Sequence, residues 1–186
     1  MEVENLILGD LNTNCYIVKK DKCALIIDPA CDSKLIVSKC KGLDVKGILV
    51  THHHYDHIGA LGELEEFYDL KHNDFNNEFF NYEVLKTPGH TDDSISFYFK
   101  REKILFSGDF LFFGTIGRMD FFNSNPEDMK KSLETISKLP DDILVYPGHS
   151  LQTTLGREKK RFDFYLESFF WILMVIIDWF HKFNIV

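Results

Sequence analysis

Residues 51–57 read Thr-His-His-His-Tyr-Asp-His, so His52, His54, Asp56 and His57 put three imidazoles and a carboxylate within six residues. Nitrogen and carboxylate donors packed this closely suit zinc, iron or manganese better than they suit a protein core. A solvated loop is the plainer reading of such a cluster. Three more donors recur in the same local setting. His90 stands in Thr-Pro-Gly-His after Val84-Leu85, Asp109 in Ser-Gly-Asp after Ile104-Leu105-Phe106, and His149 in Pro-Gly-His after Ile143-Leu144-Val145-Tyr146. The His cluster itself follows the apolar run Gly47-Ile48-Leu49-Val50. Each donor therefore sits just past a short apolar run, the place where open α/β sheets gather their chemistry. Four such coincidences argue against the solvated loop.

Seven residues of this kind could hold two ions, with His52, His54 and His90 around the first, Asp56, His57 and His149 around the second, and Asp109 between them. His52 and His54 are two apart, so an extended segment points them the same way. Two divalent ions polarise a carbonyl or phosphoryl oxygen and lower the pKa of a shared water to about 7, giving a hydroxide nucleophile at neutral pH. No Gly-x-Ser-x-Gly elbow is present, so a serine nucleophile of that type is not indicated.

Strands are expected over 3–8, 14–19, 24–27, 47–50, 83–87, 94–99, 103–107 and 142–146, the last of the series. Helices are expected over 32–41, capped by Asp32 or Ser33, over 59–68, with Leu61, Leu64 and Phe67 on one side, and over 126–138, with Asn125 as cap and Pro126 in the first turn. The stretch 69–82 is polar and aromatic and takes no assignment, and 108–125 reads as a glycine-rich aromatic loop. Strands interleaved with single helices indicate an α/β protein, two sheets between helices.

The chain of 186 residues is long enough for one domain with a real core. Its formal net charge of −8 and pI near 5.4 argue against nucleic acid as the main partner. Lys159-Lys160-Arg161 is read as a solvated helix turn. The acidic start Met1-Glu2-Val3-Glu4 has no signal-peptide core, and Cys15, Cys23, Cys31 and Cys40 follow no metal or redox spacing, so the expectation is a cytoplasmic protein with reduced thiols. Residues 162–186 are strongly apolar, but the uninterrupted run 169–177 is only nine residues, against about 20 for a membrane span. A helix packing on the domain 1–161 or making a homo-oligomer contact is preferred; an aberrant tail and membrane attachment are the other readings.

Taken together, T-H-x-H-x-D-H, P-G-H-T, S-G-D and Y-P-G-H resemble the metallo-β-lactamase superfamily, and within it the glyoxalase II-like (hydroxyacylglutathione hydrolase-like) enzymes. Phe106 to Met119-Asp120, Asn12-Thr13-Asn14-Cys15-Tyr16 and Ile27-Asp28-Pro29 are similar to that group as well, so the likeness covers roughly 5–160. It implies an αββα sandwich of two mixed β-sheets flanked by helices, with a binuclear site at one edge. It also implies that Asp28 orients a ligand from outside, although a plain turn carboxylate explains Asp28 nearly as well. His54 stands where flavodiiron-type relatives carry Glu, and Asp109 where the best-known zinc β-lactamases carry Cys.

The resulting expectation is a metal-dependent hydrolase of small (thio)esters of the hydroxyacyl-glutathione type. Its cofactor would be two divalent ions, zinc first, with iron or manganese as alternatives. A metal-bridging hydroxide, oriented by Asp56, would attack the carbonyl, and the partner would be a small molecule. Two alternatives are a one-iron persulfide dioxygenase using His52, His54, His90 and Asp109, and a degenerate metal-binding protein without turnover. Two departures from the group bear on these. Only 32 residues separate His57 from His90, which leaves His90 less securely placed, and only 37 follow His149, too few for the helical domain that grips glutathione in true glyoxalase II. Among lesser candidates, Arg118 either meets an anionic substrate or pairs with Asp120, the latter preferred. His53 should point away from the ligands, His72 and His181 read as surface residues, and Tyr55 as pocket mouth or packing. Phe110, Phe112, Phe113, Phe121 and Phe122 are a substrate wall or core.

Overall fold

Alternation along the strands decides the architecture. In a computed structural model that describes residues 1–75 and 79–165, β1 (Glu2–Leu8), β2 (Thr13–Lys20), β3 (Cys23–Ile27) and β4 (Asp44–Leu49) form one sheet in the order β1-β2-β3-β4. The second sheet has the order β11-β10-β7-β6-β5, from β5 (Glu83–Lys86), β6 (Ile95–Phe99), β7 (Ile104–Gly108), β10 (Leu144–Pro147) and β11 (Thr153–Thr154). Odd residues of β2 and even residues of β3, Cys15, Ile17, Ala24 and Ile26, face outward with Ile36, Leu61 and Leu64. Those three belong to the helices α1 (Ser33–Lys39) and α3 (Leu61–Tyr68). Their neighbours Tyr16, Val18, Leu25 and Ile27 face inward onto Phe97, Phe99 and Phe106 of the second sheet. Tyr98, Leu105 and Val145 face outward again, onto Met129, Leu133 and Ile136 of α4 (Pro126–Ile136). Period-two side-chain direction thus gives three apolar layers and the expected αββα sandwich. Both sheets are mixed, because β3 pairs parallel with β4 and β7 parallel with β10 while the remaining pairs are antiparallel.

The inter-sheet layer is aromatic. Phe106 lies 5.2 Å from Tyr146 in a stacked pair, 5.1 Å from Tyr16 and 5.6 Å from Phe99. Phe106→Ala is expected to destabilise the fold by about 3–5 kcal/mol, from lost burial plus an uncollapsed cavity. Urea denaturation measures it, and a loss below about 1 kcal/mol would mean that the layer closes over the gap.

Most elements fall where the sequence places them, including the Asp32 and Asn125 caps, whose side chains accept from Leu35 N–H and from Glu127 and Asp128 N–H. The differences are local. The helix expected over 59–68 begins at Leu61, as α3, and a separate short helix, α2 (Tyr55–Ile58), precedes it; between them Gly59 lies so near Ala30 that a Cβ would stand 2.3 Å from its carbonyl oxygen. Phe67 is 64% exposed rather than packed with Leu61 and Leu64. The loop 108–125 contains a hairpin, β8 (Leu111–Phe112) and β9 (Thr115–Ile116), and β11 follows the strand expected to be last. A short helix, α5 (Leu155–Lys159), follows β11. Its end is tied down rather than simply solvated, with Lys159 pairing with Asp141 at 2.6 Å and Arg161 donating to the Gly114 carbonyl at 2.7 Å. The four cysteines are free thiols, as expected, with Cys15 and Cys40 buried and Cys23 and Cys31 half-buried. Phe162 is buried against the second sheet's outer layer. The apolar run 169–177, and the rest of the expected tail from 166 onward with His181, lie outside the described residues. Among the described residues no helix is long and apolar enough to cross a membrane.

Candidate metal centre

The seven candidate ligands all arrive from strand ends at one edge of the sandwich. His52 and His54 follow β4 in extended backbone. The chain then turns into α2, which carries Asp56 and His57. His90 follows β5, Asp109 follows β7 and His149 follows β10. Two glycines let these loops close. Gly108 has φ +51°, and a Cβ there would lie 2.3 Å from Thr51 Oγ1; a Cβ on Gly148 would lie 2.2 Å from Asp109 Oδ1. The backbone of β2 reaches across as well: Asn14 N–H donates to Gly148 O at 2.7 Å, and its side chain to Pro147 O at 2.9 Å.

The donors converge in two groups. One ligand atom each of His52, His54, His90 and Asp109 lies within 4.8 Å of the others, and so does one each of Asp56, His57 and His149. His54 Nδ1 is 3.0 Å from His52 Nε2 and 3.1 Å from His90 Nε2. Asp109 joins the groups, with Oδ2 3.5 Å from His90 Nε2 and 3.5 Å from His149 Nε2, and Oδ1 3.3 Å from His57 Nε2. The short interval 58–89 therefore does not displace His90.

Hydrogen bonds on the far side of the rings orient the donors. His57 Nδ1–H donates to Asp28 Oδ2 (3.0 Å), His90 Nδ1–H to Arg118 O (2.9 Å) and His149 Nδ1–H to Leu11 O (3.1 Å). Thr51 gives its hydroxyl proton to Asp28 Oδ2 (2.8 Å), so its oxygen accepts from His52 Nδ1–H (3.1 Å). All four rings accordingly aim Nε2 inward, the nitrogen that binds a metal once it carries no proton. Two atoms at the meeting point, His57 Nε2 and Asp109 Oδ1, are buried without any hydrogen-bond partner. Buried orphans of this kind are rare and costly, and imidazole and carboxylate donors around them fit divalent cations.

The charges agree. Burial drives the His52 imidazolium pKa down to about 2, and neighbouring His57 works in the same direction. Burial also opposes charge on His57, but Asp28 and Asp109 overcome it and lift the ring to about 10. For His149 burial is likewise outweighed, by Asp109 and Asp56, and its pKa rises to about 10. Asp109 is held well below the carboxylate range against its own burial, by His149 and His57. An ion entering the second group must displace protons from rings that hold them at neutral pH. Metal uptake should therefore release about one to two protons and weaken as pH falls, by about tenfold per unit per proton. Calorimetry in buffers of differing ionisation heat measures the release; none at pH 7 would contradict this electrostatic picture.

The centre opens into a cleft of about 770 Å³ lined by Leu11, Tyr55, Phe112, Ile116, Arg118 and Phe121 beside the ligands. Phe121 stands edge-on to His54 and His90, at 4.9 and 5.4 Å. Of the other phenylalanines in the expected wall, Phe110 is core, Phe113 lies under the Arg157 guanidinium at 3.9 Å, and Phe122 is fully exposed. Arg118 is bidentate to Asp120 (Nε to Oδ1 2.6 Å) and covers Phe121. Tyr55 is 74% exposed at the mouth. Asp28 does touch a candidate ligand, accepting from His57, Thr51 N–H and Thr51 Oγ–H. Sequence reasoning missed Thr13, whose hydroxyl donates to Asp56 Oδ2 at 2.8 Å; its only signal is its place in Asn12-Thr13-Asn14-Cys15.

The profile of the metallo-beta-lactamase superfamily matches residues 8–72 and 67–149, most of the described fold. The chain belongs to that superfamily. A relative in Haemophilus influenzae named hydroxyacylglutathione hydrolase GloC is 31% identical over 86% of this chain and 96% of its own length. That alignment spans 203 positions, more than the 186 residues here, so the relative carries sequence this chain lacks. The two profile matches meet at 67–72, inside the short interval between His57 and His90. Among solved superfamily structures, the BLEG-1 B3 metallo-beta-lactamase superposes with TM-score 0.81 at 28% identity, covering 88% of this chain and 99% of its own. TTHA1623 in a di-iron-bound form superposes with TM-score 0.76 at 30% identity, covering 84% and 96%. The superfamily's two His/Asp groups thus stand at the metal-binding edge of this fold, consistent with a dinuclear site.

Proposed function

We propose that this metallo-hydrolase cleaves small (thio)esters of the hydroxyacyl-glutathione type at a two-ion centre. Zinc is the first choice of metal, and His52, His54, His90, Asp56, His57, His149 and the shared Asp109 are the ligands. The observation that carries the reading is the pair of donor groups joined through Asp109, with His57 Nε2 and Asp109 Oδ1 left unpartnered between them. When bound, two such ions supply Lewis-acid polarisation of the acyl carbonyl and acidify water.

The chain's residues do the rest. Asp56, held by Thr13 and lying 3.2 Å from His149 Nε2, presents a carboxylate to the cleft to orient the attacking water. Water adds to the acyl carbon, the acyl–sulfur or acyl–oxygen bond breaks, and the thiol or alcohol leaves with a proton. Leu11, Phe112, Ile116 and Phe121 form an apolar wall that keeps competing water off the acyl group. The complete Asp56–His57–His149 group supports this reading over the one-iron alternative, and the inward-facing Nε2 atoms support it over a degenerate site. The name of the H. influenzae relative, aligned over 96% of its own length, supports the thioester class. The reading calls for a small-molecule substrate rather than a macromolecular partner.

Elemental analysis beside a thioester assay with S-lactoylglutathione tests it. Two ions per chain with turnover is expected; one iron with oxygen uptake, or metal without hydrolysis of any ester offered, would sink it. Arg118→Ala should change kcat/KM by less than about fivefold, since Arg118 is exposed to solvent and already neutralised by Asp120. A larger loss confined to anionic substrates would make Arg118 a substrate contact instead.

A further inference from the structure

His53 and His72 stand outside the centre. Extended backbone turns His53 away from its neighbours His52 and His54. Its Nδ1 lies 2.6 Å from Asp93 Oδ2, and its Nε2 lies 3.3 Å from His72 Nε2. His72 Nδ1 in turn lies 2.9 Å from Glu65 Oε1. A carboxylate only accepts, so each Nδ1 carries the hydrogen and each neutral ring turns a lone pair toward the other. Two facing lone pairs cannot hydrogen-bond. They call for a cation.

The spacing indicates which kind. Two nitrogens on a tetrahedral ion with bonds of about 2.0–2.1 Å stand roughly 3.3–3.4 Å apart. The carboxylate–histidine arrangement repeats what Asp28 does for His57. The imidazole nitrogens favour a borderline cation such as Zn²⁺, Ni²⁺ or Cu²⁺ over Mg²⁺ or Ca²⁺. We propose that His53 and His72 form a separate, two-histidine transition-metal site on the outer side of the His loop.

The site would act as a clip. Asp93 also accepts from Thr91 Oγ–H at 2.6 Å, next to His90, and from His53 N–H at 3.2 Å. Glu65 lies on α3, and Asn73, beside His72, pairs with both the N–H and the carbonyl of Val50. An ion here ties the His52–His57 loop, the His90 loop and α3 together, and leaves positions open to water because His53 is half exposed.

Protein loaded at the main centre and dialysed is titrated with Zn²⁺, and uptake is compared between the wild type and His72→Ala. One equivalent more in the wild type is expected, along with a zinc-dependent rise in Tm that the variant lacks. Activity at the low zinc concentration should be equal in both. His53→Ala, on the other side of the pair, should lose the same equivalent. Equal uptake by wild type and His72→Ala overturns the proposal and leaves a shared proton as the cation between the rings. Melting in chelator shows whether a variant has lost its fold rather than its site. Because the comparison counts ions, it does not depend on which ester the cleft hydrolyses.

Discussion

Asp109→Ala is expected to lower esterase activity by on the order of 10³-fold, as loss of a preorganised charge aimed at the reacting centre does, and to cut the metal content below two ions per chain. Asp109 has oxygens toward both groups, 3.3 Å from His57 Nε2 and 3.5 Å from the Nε2 of His90 and of His149. Without it the first group retains three histidines and the second retains Asp56, His57 and His149, but nothing joins them. The fold should persist, because Asp109 follows β7 rather than lying within the inter-sheet layer. Elemental analysis, steady-state kinetics and a melting curve separate the outcomes. Full activity with two ions retained would mean that the shared position belongs to another residue.

Asp28→Ala should produce a different pattern. Asp28 is 1% exposed and accepts from Thr51 N–H, Thr51 Oγ–H and His57 Nδ1–H. Its removal leaves buried donors unpaired, at about 1–3 kcal/mol each. It also frees His57 to turn or change tautomer, which costs about 10–100-fold in metal affinity. The loss should fall on the group containing His57, with the His52–His54–His90 group affected less, through Thr51. Competition with a chromophoric chelator resolves the two affinities, and denaturation gives the stability. Asp28 also sits at φ +50°, as a turn carboxylate would. If Asp28→Ala keeps both affinities and loses only stability, the turn is its whole role.

The local parts of this protein were legible in its sequence. Period-two apolar alternation set the strands. Asp32, Asn125 and Pro126 marked helix starts through caps that act within three residues. The ligand types stood in plain view, because a small or turn-forming residue and then a donor past an apolar run is a pattern of adjacent positions. The failures share a cause. Phe67 fits a helical stripe with Leu61 and Leu64, but which face is covered depends on where α1 packs. The hairpin 111–116 has strands of two residues, too short to alternate visibly.

What only the tertiary structure decided is how distant positions meet. His57 binds Asp28 across 29 residues, Thr13 holds Asp56 across 43, and the Leu11 carbonyl orients His149 across 138. No local pattern encodes such separations; they follow from two sheets stacking through Tyr16, Phe106 and Tyr146. The sequence by itself determined which donors exist and that they lie at strand ends. The packing of the sheets determined that they face one another, which ring nitrogen each presents, and that His53 turns away from the centre to meet His72.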